Sequence, residues 1–475
     1  MGRSEICVVT EARTDILEVV MTVMLRLKSG GAMLGSALVA VMLASVAACS
    51  RPAADNLLFV SFDTTRADHI SAYGYGQATT PNIDALAQRG VLFERAFSHV
   101  PSTLPAHTTM FTGLLPPRHG VRCNGWFRVP LEHETLAETL KRARFATGAV
   151  IGAFPLDNRF GLDQGFGTYD ARFTSTADSS GREEGRMDAP GEWLTHDYLD
   201  FERSAREVTD ESIAWLRKRS GSRWFLFAHY FDPHWPYEPT PDWADRFEVP
   251  YDAELAFADH HLGRLLAFVE ELPGKTLVVF TADHGEGLGE HDEAWHNRYL
   301  YNTTLHVPLI MVLEGKAVSG RRVRTNVSHV DIHPTLLELL DVSGPRSPDG
   351  VSLVPALEGG AVAERDIYSE TLVWALEMAR GVSVRSLIRG DHKWIRTDSV
   401  APAKPGRINE LYDMTRDARE VDDLVSSAAA SGFEDLEVRL GELSDRLEAA
   451  AVTPERMALD DTTKAKLRAL GYLGD

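Results

Sequence analysis

Short apolar runs that end near acidic or histidine residues constrain the fold of this chain more than any other feature. Three runs share this property: Leu57–Phe62 is followed by Asp63, Trp224–Tyr230 by Asp232 and His234, and Leu277–Thr281 by Asp283 and His284. Runs of this length are typical of buried strands, and segments with helical spacing lie between them. The alternation predicts an α/β fold with a central, mostly parallel sheet flanked by helices. Ligands bind such sheets beyond the carboxyl ends of the strands, where these side chains lie.

The 475 residues are enough for one large domain and a smaller one. The segment Gly344–Gly350 is typical of a boundary. We therefore predict a larger domain over residues 56–345, which contains these strand ends, and a smaller α+β subdomain over residues 346–475. The evidence for the second is a set of short strand patterns and a helix: Ile367–Glu370, Val382–Ile388, Lys393–Arg396 and Glu434–Ala450. Within the larger domain, the Ser-, Gly- and Pro-rich composition of Thr174–Trp193 predicts an irregular loop near the entrance of the site at the strand ends.

The N-terminal region has the pattern of an export signal. Arg26 and Lys28 precede the apolar run Ala32–Ala48, and Val46-Ala47-Ala48-Cys49 resembles a bacterial lipobox. We predict a lipoprotein signal over residues 1–49 and a linker over residues 50–55. Lipidation of Cys49 would anchor the protein in the bacterial cell envelope, on the periplasmic or outer-surface face. The alternative is an uncleaved membrane anchor.

The net charge of −20 limits the partners. An acidic surface argues against binding of nucleic acid, because the phosphate backbone is bound by Lys and Arg. It does not exclude a small anionic substrate, since one metal ion can dominate the field of a pocket.

A hydroxyl residue precedes a helix start in the segment Pro101–Gly113. Pro105 suits the first turn of a helix, so Thr103 lies at its amino end. Backbone N–H groups and the helix dipole favour an anionic ester group there. An ordinary helix cap at Ser102 or Thr103 is the alternative interpretation.

The motif Asp283-His284-Gly285-Glu286 offers a carboxylate and an imidazole to one divalent cation. Asp63 can complete the oxygen ligands. A threonine hydroxyl is a weak nucleophile unless a metal lowers its pKa, so we expect Thr103 to be a metal ligand together with Asp63, Asp283 and His284. We therefore expect these residues to bind one divalent metal ion.

Three further histidines are candidates to bind substrate oxygens or to protonate the leaving group: His107, His234 and His296. Six other histidines are assigned structural roles: His229, His260, His261, His306, His329 and His333.

These motifs, in this order, resemble the sulfatase family of the alkaline-phosphatase superfamily. The resemblance runs from Asn56 to the C-terminus and rests on the following segments: Asp63, Thr80–Ala87, the Thr103 helix with Thr112-Gly113, Asp232–Tyr237, Thr281–Glu286, Val307–Ile310, Asp331–Leu336 and Glu410–Asp413. It implies a sulfatase-like fold and a metal-dependent hydrolase that acts on small anionic esters. The resemblance implies that the metal is Mn, Zn or Ca. It also implies a single ion, because Asp232 and His234 lie two residues apart and do not match the wider ligand spacing of the related two-zinc phosphodiesterases.

Four positions depart from the family pattern. Thr103 stands where sulfatases carry the cysteine that becomes formylglycine, and His107 replaces an arginine. Thr64 replaces a second aspartate, and His296 replaces a lysine. Formylglycine can expel sulfate by elimination, whereas threonine cannot. The resemblance therefore implies hydrolysis of phosphate mono- or diesters more than of sulfate esters, through a phosphothreonine, as in family members that use zinc or manganese.

Two alternatives remain open from the sequence. One is an envelope transferase that moves a phosphoethanolamine- or phosphoglycerol-like group. The other is a sulfatase-fold lipoprotein that binds ligands without catalysis. The joint presence of Asp63, Asp283 and His284 argues against the second alternative.

Overall fold

A nine-stranded sheet with helices on both faces forms the larger part of the structure, as the sequence predicts. The computed structural model describes residues 53–173, 202–219, 221–313, 320–372, 381–399, 406–427, 432–453 and 456–469. The strands of this sheet are β1 (Asn56–Phe62), β2 (Val91–Phe97), β3 (Ala146–Val150), β4 (Thr168–Asp170), β5 (Trp224–Tyr230), β6 (Thr276–Ala282), β7 (His306–Leu313), β8 (Arg321–Val323) and β9 (Val327–Ser328).

The strand order is β4-β3-β5-β1-β6-β7-β2-β8, and β9 also pairs with β2. Strands β4, β3, β5, β1 and β6 are mutually parallel. Strand β7 is antiparallel to both of its neighbours, β6 and β2. The carboxyl ends of β5, β1 and β6 therefore lie side by side at one edge of the sheet.

Helices cover the sheet and complete the described part of the chain. They are α1 (Pro81–Arg89), α2 (Thr103–Thr112), α3 (Pro116–His119), α4 (Leu136–Arg142), α5 (Ala205–Leu216), α6 (Pro241–Ala244), α7 (Pro250–Glu270), α8 (Asn302–Leu305), α9 (Ile332–Leu339), α10 (Val354–Leu357), α11 (Glu434–Ala449) and α12 (Asp461–Ala469).

Every residue of β1 is buried, because the two sheet faces carry separate hydrophobic cores. Leu57 and Phe59 pack with α2, α4 and α9 on one face. Leu58, Val60 and Phe62 pack with α1, α5 and α7 on the other. Burial on both faces explains the continuous apolar runs from which the strands were predicted.

A second, antiparallel sheet follows in the order β10 (Ile367–Thr371), β11 (Val382–Arg389), β12 (His392–Ser399) and β13 (Gly406–Asp413). Helix α11 packs on it through Leu436, Leu440 and Leu447. Three of these strands agree with the sequence patterns, and β13 was not predicted as a strand. The boundary at residues 345/346 stays a prediction.

Two predicted segments lie outside the described residues: the signal region with Cys49, and the loop Thr174–Trp193. In the part of the chain that is described, no helix combines the length and apolar character needed to cross a membrane.

Candidate active site

The ends of three neighbouring strands bring the acidic residues together. Phe62 of β1 pairs with Ala282 of β6, so Asp63 and Asp283 follow directly at the same edge of the sheet. On the other side of β1, Ser61 pairs with His229 of β5. The backbone ladder therefore fixes the spacing of these side chains. All three titratable groups are fully buried.

Helix α2 lies on the sheet face that carries these groups. Near its carboxyl end, the Phe111 ring packs against Phe59 and Phe227, with centroid distances of 5.4 and 4.9 Å. One turn closer to the amino end, the ring of His107 lies 5.0 Å from that of His229. The helix axis therefore leads from the hydrophobic core towards the strand ends.

Thr103 is the first residue of α2 and is fully buried. Ser102 precedes it in an extended conformation and makes no side-chain capping bond, so neither residue is an ordinary cap. The carbonyl oxygen of Thr103 accepts a hydrogen bond of 2.7 Å from Nδ1 of His107. The same nitrogen lies 3.8 Å from Oδ2 of Asp283. A single side chain thus separates the Thr103 backbone from the carboxylates.

Hydrogen bonds orient Asp283 and His284 towards a common point. Oδ1 of Asp283 accepts the backbone N–H groups of His284 and Thr64 at 2.8 and 3.2 Å, which leaves Oδ2 for another partner. Nδ1 of His284 donates to the carbonyl oxygen of Gly285 at 2.9 Å, so its Nε2 carries the lone pair. That Nε2 lies 3.6 Å from Oδ2 of Asp283 and 3.9 Å from Oδ1 of Asp63.

These donor atoms fit a divalent cation. Both carboxylate oxygens of Asp63, Oδ2 of Asp283 and Nε2 of His284 are buried and have no hydrogen-bond partner among the described residues. Buried polar atoms are normally satisfied, so this cluster calls for a ligand. Burial and then the charges of Asp283 and Glu286 raise the pKa of Asp63 well above its usual value. Burial also raises the pKa of Asp283 to about 6. A bound cation would stabilise both carboxylates in their charged form.

His107 is placed beside this cluster, but both of its ring nitrogens have protein partners. Nδ1 donates to the carbonyl oxygen of Thr103, and Nε2 accepts from the Ser61 hydroxyl at 3.0 Å. Burial lowers the pKa of His107. The neutral imidazole therefore ties α2 to β1 instead of serving as a free cation in the site.

Thr64 does not take the place of a second aspartate ligand. Its hydroxyl donates to the carbonyl oxygen of Pro233 at 2.9 Å, and its backbone N–H holds Asp283. The residue has a φ of 47°, an uncommon value for a β-branched residue. Thr64 thus orients the site without contributing a ligand oxygen.

His234 and His296 extend the site away from the carboxylates. The rings of His284 and His296 have centroids 4.5 Å apart, and those of His296 and His234 are 5.1 Å apart. His234 stacks on Phe231, and its Nδ1 donates to the carbonyl oxygen of Trp235 at 2.5 Å. Burial lowers the pKa of each of these three imidazoles to about 3.

Glu286 was part of the recognised motif, but it had no assigned role. Its Oε1 is hydrogen-bonded to Nδ1 of His296 at 3.0 Å, and burial raises its pKa to about 7. The loop that carries both residues is closed at its base, since the N–H of Gly287 donates to the carbonyl oxygen of Trp295 at 2.7 Å. The two groups therefore form a buried pair that can hold a proton.

His229 was assigned a structural role, yet its Nε2 lies 3.5 Å from Oδ2 of Asp63. The alternation of side chains between the two faces of β5 would have indicated this position of His229. Phe225, Phe227 and His229 lie on one face of the strand, because every second residue points the same way. The two phenylalanines pack under α2, so His229 had to lie on the side of Thr103.

Comparisons with known proteins agree with this geometry. The sulfatase family model matches residues 55–342, and a model described as N-sulphoglucosamine sulphohydrolase, C-terminal, matches residues 289–446. The uncharacterized sulfatase YidJ of Escherichia coli (strain K12) is 24% identical, over 78% of this chain and 83% of that protein. An arylsulfatase of Clostridium perfringens is 23% identical, over 78% of this chain and 90% of that protein.

A similar fold occurs in the crystal structure of the phosphonate monoester hydrolase of Agrobacterium radiobacter. The TM-score is 0.64 at 22% sequence identity, and the match covers 84% of this chain and 96% of that chain. This likeness confirms the predicted sulfatase-like architecture. The family model and the arylsulfatase relative confirm the predicted hydrolase class. With its family model matched over more than half of its length, the chain belongs to the sulfatase family.

Proposed function

We propose that this protein is a metal-dependent hydrolase that cleaves phosphate mono- or diesters with Thr103 as the nucleophile. The observation that carries the proposal is the position of Thr103. It is buried at the amino end of α2, and its carbonyl oxygen is bonded to Nδ1 of His107, which lies 3.8 Å from the orphaned Oδ2 of Asp283. A buried hydroxyl beside a cation site and a helix N-terminus suits attack on an anionic ester.

The residues that would hold the cation are Asp63, Asp283, His284 and Thr103. Zn or Mn suits this set better than Ca, because it includes imidazole nitrogen. When bound, the cation would lower the pKa of the attacking hydroxyl and neutralise charge on the ester oxygens.

The chain's own residues supply the remaining steps. The Thr103 hydroxyl releases its proton to solvent water, its oxygen forms a bond to phosphorus, and the bond between phosphorus and the leaving oxygen breaks. Since burial raises the pKa of Glu286 to about 7, its pair with His296 takes up a proton near neutral pH. That proton goes to the leaving oxygen. Water then cleaves the phosphothreonine and restores the hydroxyl.

The preference for phosphorus over sulfur follows from the nucleophile. An alkyl sulfate formed on Thr103 has no adjacent hydroxyl through which sulfate could be eliminated. A phosphorylated threonine can instead be resolved by attack of water at phosphorus. Among proteins of similar fold, the name phosphonate monoester hydrolase records action on a phosphorus ester, which supports this choice.

An aromatic pair beside His234 and His296 suggests the type of leaving group. The rings of Trp235 and Trp295 lie 5.7 Å apart, and Trp295 is 41% exposed. Trp235 follows His234 in sequence, and Trp295 precedes His296. We propose that these rings contact a cyclic leaving group such as an aryl or sugar ring.

The decisive experiment compares aryl phosphate, aryl phosphodiester and aryl sulfate substrates with purified protein supplied with Zn, Mn or Ca. We expect turnover of the phosphorus esters and a loss of roughly 10³-fold or more in kcat in Thr103→Ala. Thr103→Ser retains the hydroxyl and is the matched control. Acid quenching during turnover should leave a phosphoryl group on the peptide that contains Thr103.

Three results would contradict the proposal. They are turnover of the sulfate ester alone, full activity in Thr103→Ala, and the absence of metal-dependent activity on any ester. Phosphoryl transfer to an added alcohol in preference to water would instead identify the protein as a transferase that uses the same nucleophile.

A further inference from the structure

His229 is a fully buried imidazole whose two ring nitrogens both lack a hydrogen-bond partner within the described part of the chain. Leaving a buried polar group unsatisfied costs about 1–3 kcal/mol, so such a side chain is unusual in a hydrophobic core. Phe227 and His107 pack against the ring, and neither provides a bond to its nitrogens. The orientation of His229 therefore needs a partner other than the protein around it.

The nearest polar group indicates that partner. Nε2 of His229 lies 3.5 Å from Oδ2 of Asp63, whereas Oδ1 of the same carboxylate faces Nε2 of His284 at 3.9 Å. A distance of 3.5 Å is long for an N–H···O bond, which is usually about 2.7–3.2 Å. It agrees with the spacing of two ligands of one cation, since bonds of about 2.0–2.2 Å place ligand atoms roughly 3–4 Å apart.

Two overlapping groups of metal-binding side chains meet at this point. Asp63, Asp283 and His284 offer ligand atoms that all lie within 4.8 Å of one another, and so do His107, His229 and Asp283. In the second group, His107 already uses both of its nitrogens to bond Thr103 and Ser61. His229 is therefore the member of that group that is available as a ligand.

The neighbouring position does not supply a further oxygen ligand to the cation. The hydroxyl of Thr64 is bonded to the carbonyl oxygen of Pro233, so this residue adds no ligand oxygen. Without another protein ligand, the cation would have only two carboxylates, one imidazole and the Thr103 hydroxyl. The ring of His229 lies on the side of Asp63 opposite to His284 and can fill the gap.

Resting on the metal-dependent function proposed above, we infer that His229 is a second nitrogen ligand of the catalytic cation. The protein donors are then two imidazoles, two carboxylates and one hydroxyl. Two neutral nitrogens shift the preference of the site towards zinc or manganese, because calcium is bound almost entirely by oxygen. His229 thus selects the metal as well as holding it.

Metal binding to the purified, metal-free protein tests this inference without any use of activity. Zinc affinity is measured by competition with a chromophoric chelator, and calcium affinity by titration calorimetry. We expect zinc affinity in His229→Ala to fall by at least the roughly 10–100-fold loss that follows removal of groups supporting metal ligands. The visible spectrum of the cobalt-loaded protein should change in the same variant, because a nitrogen ligand is lost.

His229→Asn is the second variant and guards against a folding defect in His229→Ala. It offers an amide oxygen in place of the nitrogen, so we expect the ratio of zinc to calcium affinity to fall. His333→Ala is the matched control, because His333 is also buried with both ring nitrogens lacking partners among the described residues. It should bind zinc like the unmodified protein.

Unchanged zinc affinity in a folded His229 variant, or an equal loss in His333→Ala, would overturn the inference. Its failure can be told apart from failure of the proposed function. Metal binding that depends on His229 without any ester hydrolysis would reject the function alone. Hydrolysis with zinc affinity independent of His229 would reject the inference alone.

Discussion

The Nδ1 atom of His296 lies 3.0 Å from the Oε1 atom of Glu286, and both side chains are buried beside the metal donors. Glu286→Gln keeps the size of this side chain but removes its negative charge and its proton. We expect kcat to fall about 10²-fold or more for alkyl phosphates, whose leaving oxygen needs a proton. For p-nitrophenyl phosphate, whose leaving group is stable as an anion, we expect little change.

Comparison of kcat for the two substrate types checks this prediction. His291→Asn is a suitable control, because His291 lies in the same loop but stacks on Tyr301 and bonds the carbonyl oxygen of Arg419. Equal losses for both leaving groups would show that Glu286 does not act in proton transfer.

The position of Thr103 depends on the packing of the other end of its helix. Phe111 makes ring contacts with Phe59, Phe225 and Phe227 under α2. We expect Phe111→Ala to lower the free energy of unfolding by about 3–5 kcal/mol because it leaves a large cavity, and Phe111→Leu to cost less. Urea denaturation measures both. A loss below about 1 kcal/mol in Phe111→Ala would contradict the described packing.

Buried histidines should make the protein sensitive to acid. Burial lowers the pKa of His333 from its ordinary 6.5 to about 4. As the pH falls, His333 is therefore protonated at a higher pH in the unfolded chain than in the folded protein. The stability contributed by the neutral form is present above pH 6.5 and is lost as the pH falls towards 4. Below pH 4 the loss in the free energy of unfolding reaches roughly 3 kcal/mol, because each unit of pKa difference corresponds to about 1.4 kcal/mol.

Replacement of this histidine should weaken the pH dependence. In metal-free protein, His333→Leu should lose less in Tm between pH 7 and pH 5 than the unmodified chain. The exposed residue His260 provides the control His260→Leu. Parallel Tm profiles for all three proteins would show that His333 does not contribute to acid unfolding.

Cys49 allows a test of the envelope location proposed from the sequence. Bacterial expression of the full chain should place it in the membrane fraction, with a lipid on Cys49 as the first residue of the mature protein. Cys49→Ser should move the protein to the soluble fraction. Mass spectrometry of the N-terminal peptide measures the outcome. An intact sequence upstream of Cys49 in the membrane fraction would contradict lipidation.

The strands of the large sheet could be predicted well because they are buried on both faces. Continuous apolar runs such as Leu57–Phe62 need no knowledge of their neighbours, and Asp63 marks where the run ends. Strand β13 escaped prediction because its residues alternate in character. Leu411 is fully buried and Ile408 is exposed, and its only strand partner within the described sheet is β12.

The site was predictable where a motif is local and not where it depends on pairing between strands. Asp283 and His284 are adjacent in sequence, so their shared role was visible. The nearness of His229 to Asp63 requires the register of β5 against β1, which sequence spacing does not contain. The loss of the second aspartate was visible at Thr64, but its bond to Pro233 depends on a loop 169 residues away.

A backbone hydrogen bond between Gly287 and Trp295 closes the base of the loop that carries Glu286 and His296. Asp63 and His229, in contrast, lie on or directly after neighbouring strands of the sheet. The sequence of the loop can therefore change independently of the strands that hold the metal donors. Insertions or substitutions in the loop can change which alcohol is released, and the strand ladder that holds the cation stays as it is. A laboratory search for new substrates would do best to randomise the exposed loop positions Asp292, Ala294 and Trp295 and leave the strand ends untouched.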